Sequence, residues 1–91
     1  MRFEWDEEKS RANLKKHGVR FEDAETVWAD AQSLEYFDVL HSVEEERYVK
    51  IGFSARSTLL TVVHTEREDL IRVVSARHAT LKERKRYEEG I

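Results

Sequence analysis

An α+β domain is predicted, with element order β-α-α-β-β-β-β-α and helices packed on one face of a small antiparallel sheet. Three observations carry it. Helical patterning is confined to the two ends of the chain, and runs rich in β-branched residues fill the stretch from Arg47 to Arg77. Only short polar turns separate those runs, and short links imply antiparallel neighbours. No repeat, low-complexity stretch or linker interrupts the 91 residues, so residues 1–91 read as one domain.

Phe3-Glu4-Trp5 alternates like a short strand, and Asp6 stands where a helix N-cap belongs, with Glu7 and Glu8 in the first turn. The first helix is expected from Glu7 to about His17, closed by the basic turn Lys15-Lys16-His17 and by Gly18, which favours a left-handed backbone. Phe21, Ala24, Val27 and Trp28 recur at helical spacing and predict a second helix ending near Asp30. Leu34 to Asp38 favours strand, and His41 to Glu46 reads as a polar loop. Three strands are then expected at Arg47–Ser54, Thr58–Thr65 and Leu70–Arg77, with turns at Ala55-Arg56-Ser57 and Glu66 to Asp69. Gly52 inside a strand predicts a bulge or a close backbone approach. Thr80 and Glu83 form a capping box that opens a last helix through Tyr87, closed by Gly90.

Composition narrows the function. No cysteine is present, so a disulfide framework and a thiolate metal site are excluded. The four histidines, His17, His41, His64 and His78, do not pair at the spacing of a helical zinc motif, and neither a metal nor a cofactor is expected. The N-terminus turns acidic within a few residues and has no apolar run, so no signal peptide or membrane span is expected and the location is read as cytoplasmic. Net charge is −3, yet residues 1–46 hold six Lys/Arg against thirteen Asp/Glu while residues 47–91 hold ten against six. Such asymmetry places a basic face on an acidic protein.

Two valine-rich runs hold arginines, Val62-Val63-His64-Thr65-Glu66-Arg67 and Ile71-Arg72-Val73-Val74-Ser75-Ala76-Arg77. A guanidinium binds phosphate or carboxylate through a planar fork that lysine lacks, so an anion site is expected with Arg67 and Arg77 near the ends of adjacent strands. The competing reading pairs each arginine with a local carboxylate such as Glu66, Asp69 or Glu83. Alternation places Ser75 and Arg77 on one face with Ile71 and Val73, and leaves His64 on the opposite face of its own strand from Val63 and Thr65. Lys9, Asn13 and either Lys16 or His17 form one ridge on the first helix. His64 reads as packed within the sheet, and no histidine–glutamate pair stands at the spacing of a familiar acid/base couple. Lys82, Arg84, Lys85 and Arg86 make the last helix basic; Tyr87 has the choice of stacking on a base or packing on the sheet.

Phe3-Glu4-Trp5-Asp6, Lys9, Asn13, Lys16-His17-Gly18-Val19 with Phe21, then Arg47, Ile51-Gly52, Thr65 to Arg67, Ile71 to Arg77, Glu83 and Tyr87 together resemble the BrnT family, ribonuclease toxins of type II toxin–antitoxin systems. The match spans essentially the whole chain. The resemblance implies a fold similar to the RelE/ParE toxins and a metal-independent endoribonuclease that cleaves RNA and inhibits translation and growth. It also implies neutralisation by a BrnA-like ribbon-helix-helix antitoxin, with operator DNA reached only through that complex. On it, Lys9, His17, Arg67 and Arg77 are the expected catalytic positions, and Asn13, Lys16, Arg72 and Tyr87 the expected substrate contacts. Cleavage without metal has the ribose 2′-hydroxyl attack phosphorus, which needs a base, cations for the phosphoryl oxygens and an acid for the departing oxygen. Two other functions stay open: a non-catalytic ParE-like toxin that poisons a protein target such as DNA gyrase, and a co-repressor that loads a partner onto DNA.

Overall fold

The computed structural model describes residues 1–90 and contains a five-stranded sheet with helices on both faces. The elements in chain order are β1 (Arg2–Glu4), α1 (Glu7–His17), α2 (Phe21–Glu25) running into a 3-10 turn (Thr26–Ala29), β2 (Leu34–Phe37), a 3-10 turn (Val39–His41), β3 (Tyr48–Phe53), β4 (Leu59–Arg67), β5 (Leu70–His78) and α3 (Leu81–Glu89). The expected order holds. Asp6 caps α1 by accepting the Glu8 and Lys9 N–H groups, Gly18 turns it at φ 72°, and the Thr80–Glu83 capping box opens α3.

Two architectural expectations are corrected. The sheet is mixed, because its strand order is β1-β5-β4-β3-β2 and β1 lies parallel to β5. Link length predicts direction only for strands joined by a short turn, and β1 reaches its neighbour through most of the chain. The helices do not share a face either. Strand alternation sends Leu60, Val62, Val73 and Ala76 into a core with Val19, Phe21, Ala24 and Val27 from α2 and its flanks. Val49, Ile51 and Leu59 point the other way, toward Ala79 and Tyr87 at α3. No residue of α3 is fully buried, so its sequence carries no apolar stripe to declare its side.

β4 and β5 pair in register from Arg67↔Leu70 to His64↔Val73, then resume at Val63↔Ser75, leaving Val74 as an extra residue. This bulge inverts the face of everything after it. Ile71 and Val73 point to the α1/α2 side, whereas Ser75 and Arg77 point to the α3 side, which corrects the shared face expected for these four. Gly52 is a close approach and no bulge: a Cβ there would lie 2.8 Å from Val27 Cγ1 and 2.9 Å from Ser33 Cβ.

α1 buries only Ser10 and Asn13, so one amide does the work of an apolar stripe. Asn13 Nδ2 donates to the carbonyls of Val19 (2.9 Å) and Ala76 (2.8 Å), while Oδ1 accepts the Ala76 N–H (3.1 Å). It thereby joins α1, the loop into α2 and β5 at the bulge end of the strand. Asp30 plays the matching role at the sheet edge, accepting the Phe53 N–H (2.8 Å) and the Tyr87 O–H (2.7 Å). Burial, reinforced by that bond to Asp30, pushes the Tyr87 phenol up to about 12.

Glu83 holds α3 to the sheet. Its carboxylate takes two bonds from Arg77 (2.7 and 2.9 Å), one from Thr61 Oγ1 (2.9 Å) and one from the Thr80 N–H (2.9 Å). Burial opposes its ionisation, but the bonds from Arg77, Thr80 and Thr61 outweigh burial and draw it down to about 2.

Two stability outcomes follow from these anchors. Asn13→Ala leaves buried backbone groups of Val19 and Ala76 unsatisfied and should cost about 2–4 kcal/mol in urea denaturation. A loss under about 0.5 kcal/mol would show that the clamp is dispensable. Because the Glu83 carboxyl titrates lower folded than unfolded, its stabilisation is present above its ordinary value of 4.5 and is lost as pH falls toward about 2. Glu83→Gln should therefore cost about 1–2 kcal/mol at neutral pH and flatten the fall of the urea midpoint below about pH 5.

Candidate active site

α3 covers only one end of its face of the sheet. Beyond it, the same face continues through Val63, Thr65, Arg67, Arg72 and Ser75, with Arg47 entering from the residue before β3. A concavity of about 350 Å³ opens here, floored by Val63 and Ser75 and rimmed by Tyr36, Asp38, His41, Arg47 and Arg77. Arg86 of α3 lies 4.6 Å over the Tyr36 ring, which brings a third guanidinium beside it.

The loop between β2 and β3 builds one wall. The Asp38 N–H donates to the Arg47 carbonyl (2.8 Å), and Ser42 Oγ accepts the Arg47 N–H (3.0 Å), so the ends of the loop are pinned together. Within it, the 3-10 turn sets His41 three residues after Asp38, and His41 Nδ1 lies 3.0 and 3.1 Å from the two carboxylate oxygens. The carboxylate is largely covered and the imidazole is exposed, with side-chain exposures of 17% and 68%. Arg47 keeps a buried Nε with no hydrogen-bond partner and brings Nη2 within 3.5 Å of Glu45. Arg77 is anchored by Glu83 on one side and still 41% exposed, and that fork holds its charge by raising its pKa above the ordinary value.

A larger cleft of about 680 Å³ lies at the closed end of the β4–β5 hairpin, where Lys9, Arg67 and Arg72 meet five carboxylates, Glu4, Glu44, Glu45, Glu46 and Glu66. Arg72 is already bonded to Glu4 at 2.8 Å. Size favours this cleft for a ligand, but its negative surplus repels phosphate, so the smaller concavity is the better anion site.

The expected site residues therefore divide. Lys9, Arg67 and Arg72 come together in the acidic cleft. Arg77 pairs across the sheet with Thr61, six positions along β4 from Arg67, or roughly 20 Å at strand rise. Adjacent antiparallel strands joined by a turn put their far ends apart, which corrects the expected Arg67–Arg77 neighbourhood. Lys9 and His17 stand at the two ends of α1, about 12 Å apart, with His17 half-buried in the last turn. Lys16 is exposed, and neither it nor His17 lines either of these two clefts. Asn13 is 7% exposed with both amide atoms engaged, so it is a clamp and not a substrate contact. Tyr87 packs edge-on to Phe53 with its hydroxyl on Asp30, which takes the sheet-packing alternative.

His41, Asp38, Arg47 and Tyr36 were not among the expected site residues. The i,i+3 spacing of Asp38 and His41 is legible in the sequence, but spacing alone does not distinguish an aspartate–histidine pair from an ordinary polar loop. Histidine–glutamate contacts do form: His64 Nε2 lies 3.2 Å from Glu35 across the sheet, and Nδ1 3.5 Å from Glu66 two residues along the same strand. His64 is fully buried between Trp28 and Tyr48, as its packed reading required. Burial pushes its imidazole down to about 4 although Glu35 pulls the other way, so the ring is neutral at pH 7. Glu35, His64 and Glu66 bring ligand atoms within 4.8 Å of one another, the spacing of a metal triad. The two carboxylates face different ring nitrogens, however, and Lys50 Nζ already sits 3.4 Å from Glu35 as the local cation.

No helix among the described residues is long and apolar enough to cross a membrane. No curated protein matches the chain in sequence. Among solved structures, the chain is similar to the ribonuclease toxin BrnT of Brucella abortus, known from a crystal structure at 1.1 Å, with 24% identity, TM-score 0.68, and coverage of 88% of this chain and 97% of that one. That likeness establishes the fold. Residues 5–83 match the family described as the ribonuclease toxin BrnT of type II toxin–antitoxin systems, and the chain belongs to that family.

Proposed function

We propose that the chain is an endoribonuclease toxin that cuts RNA without a metal ion, so inhibiting translation and growth, and that a BrnA-like ribbon-helix-helix antitoxin neutralises it. The observation that carries this reading is the concavity beyond α3, where Arg47 and Arg77 flank an uncovered floor. Two guanidiniums facing one space suit the growing charge on phosphoryl oxygens, and they act without a bound cation. The fold is read as a relative of the RelE and ParE toxins.

The antitoxin is assigned to the loop beside the concavity. Val39, Leu40 and Val43 are 75%, 82% and 89% exposed there, and exposed apolar clusters on small domains mark partner surfaces. A partner seated on them stands over His41 and Arg47, which lie on the same loop and in an adjoining hollow. Operator DNA is then met only by the toxin–antitoxin complex.

Purified antitoxin-free protein incubated with total RNA in EDTA should cleave it, and Arg47→Ala should be slower by about 100-fold or more with an unchanged circular dichroism spectrum. No cleavage by the wild type, together with a DNA-damage response in cells, would replace this reading by gyrase poisoning. Leu40→Asp/Val43→Asp should weaken antitoxin binding by about tenfold or more while leaving RNA cleavage intact. Unchanged affinity in calorimetry would place the antitoxin elsewhere.

A further inference from the structure

We propose that His41, oriented by Asp38, is the proton-transfer group of a ribonuclease centre whose phosphate is held by Arg47 and Arg77, with single-stranded RNA as the substrate class. This rests on the ribonuclease reading and names the chemistry of its site.

Three observations converge on it. The Asp38 carboxylate can only accept hydrogen bonds when ionised, so the proton of a neutral His41 ring belongs on Nδ1, and Nε2 keeps its lone pair. A histidine fixed through one nitrogen and exposed through the other is the arrangement a general base needs. The loop that carries the pair is closed at its neck, so the imidazole is held against the same concavity as the two arginines. Arg47 has an unpartnered buried Nε, and its guanidinium, unlike that of Arg77, has no bidentate carboxylate. Its charge is thus available to a ligand.

The step balances without a metal or any further reactant. His41 Nε2 takes the 2′-hydroxyl proton, O2′ bonds to phosphorus, and the bond from phosphorus to O5′ breaks. O5′ then takes a proton from solvent, and the products are a 2′,3′-cyclic phosphate and a 5′-hydroxyl. Arg47 and Arg77 face the non-bridging oxygens, where charge grows. Attack in line requires the nucleotide to leave A-form stacking, which single strands do readily and duplexes do not. Duplex RNA is expected to be resistant.

The groups facing His41 are Asp38, Glu44 and Glu45 from its own loop, and Arg47, Tyr36 and Arg77 across the concavity. A general base acts only when unprotonated, so single-turnover cleavage of a single-stranded RNA oligonucleotide should rise with pH from the acid side for the wild type. An oligonucleotide with 2′-deoxyribose at the cut position should be inert.

His41→Gln should lower the rate by about 100-fold or more and abolish the acidic limb of the profile, with RNA affinity unchanged. His41→Ala should regain activity with added imidazole, an outcome that a folding defect does not produce. Asp38→Asn should lower the rate and change the pH dependence through the lost orientation of the ring. A His41→Gln protein that cuts at the wild-type rate with the same pH profile, while Arg47→Ala is inactive, overturns the assignment of His41 alone. A wild-type protein that cuts no RNA overturns the ribonuclease reading and this proposal with it.

Discussion

The Glu83 carboxylate decides what this fold leaves open. It caps α3 through Thr80, takes the Arg77 fork and receives the Thr61 hydroxyl, so a single side chain sets where the last helix meets the sheet. Placed there, α3 covers Leu59, Ile51 and Phe53 with Tyr87 and stops short of Val63 and Ser75. The concavity is the part of the sheet that α3 does not reach. The same bonds fix the Arg77 guanidinium at the border, ordered by Glu83 from behind and partly exposed in front. An exposed surface ion pair contributes little to stability, but this one is bidentate, half-covered and tied to two further donors.

A bulge supplies the second constraint. Without the extra residue at Val74, strict alternation from Ile71 and Val73 would send Ser75 and Arg77 into the α1/α2 layer. Arg77 would then face Phe21 and Val27, where a guanidinium has no partner. With the bulge, Ala76 turns to the helix side, and its backbone meets the Asn13 amide from α1. The register shift and the asparagine clamp are thus two parts of one solution: the strand changes face, and the buried backbone near the change is satisfied by a side chain.

Most of the fold was legible because its signals are local. Asp6, Gly18, the Thr80–Glu83 box and the valine-rich runs each mark an element within a few residues, and each lies where it was expected. What was not legible depends on pairs distant in sequence. The direction of β1 is set by its docking on β5, and the side taken by α3 by Thr61 and Arg77 meeting Glu83; no pattern within either element reports this. The site shows the same division. Arg77 was visible as an arginine in a valine run, but a one-residue bulge decided its face, and antiparallel pairing decided that Arg67 would be far away. His41 was expected in a polar loop and Arg47 at the start of a strand, and only the folded β2–β3 connection brings them together beside β5.

Why the proposed phosphate site lies in the smaller hollow on an acidic protein follows from where the charges are already engaged. In the large cleft, three cations face five carboxylates, and Arg72 is bonded to one of them. Around the small concavity, Asp38 is engaged by His41, and Glu83 lies behind Arg77, so both carboxylates are used in holding the groups that face the ligand. The net charge of −3 describes the whole surface and not this space. On the proposed ribonuclease reading, long-range steering of RNA is weak and binding comes from short-range guanidinium contacts, which salt screens less than the field of a basic surface. A toxin built this way gains from a fixed, correctly aimed pair of arginines more than from overall positive charge, which is why the residues that aim them, Glu83 and the pinned loop from Asp38 to Arg47, carry as much of the design as the arginines themselves.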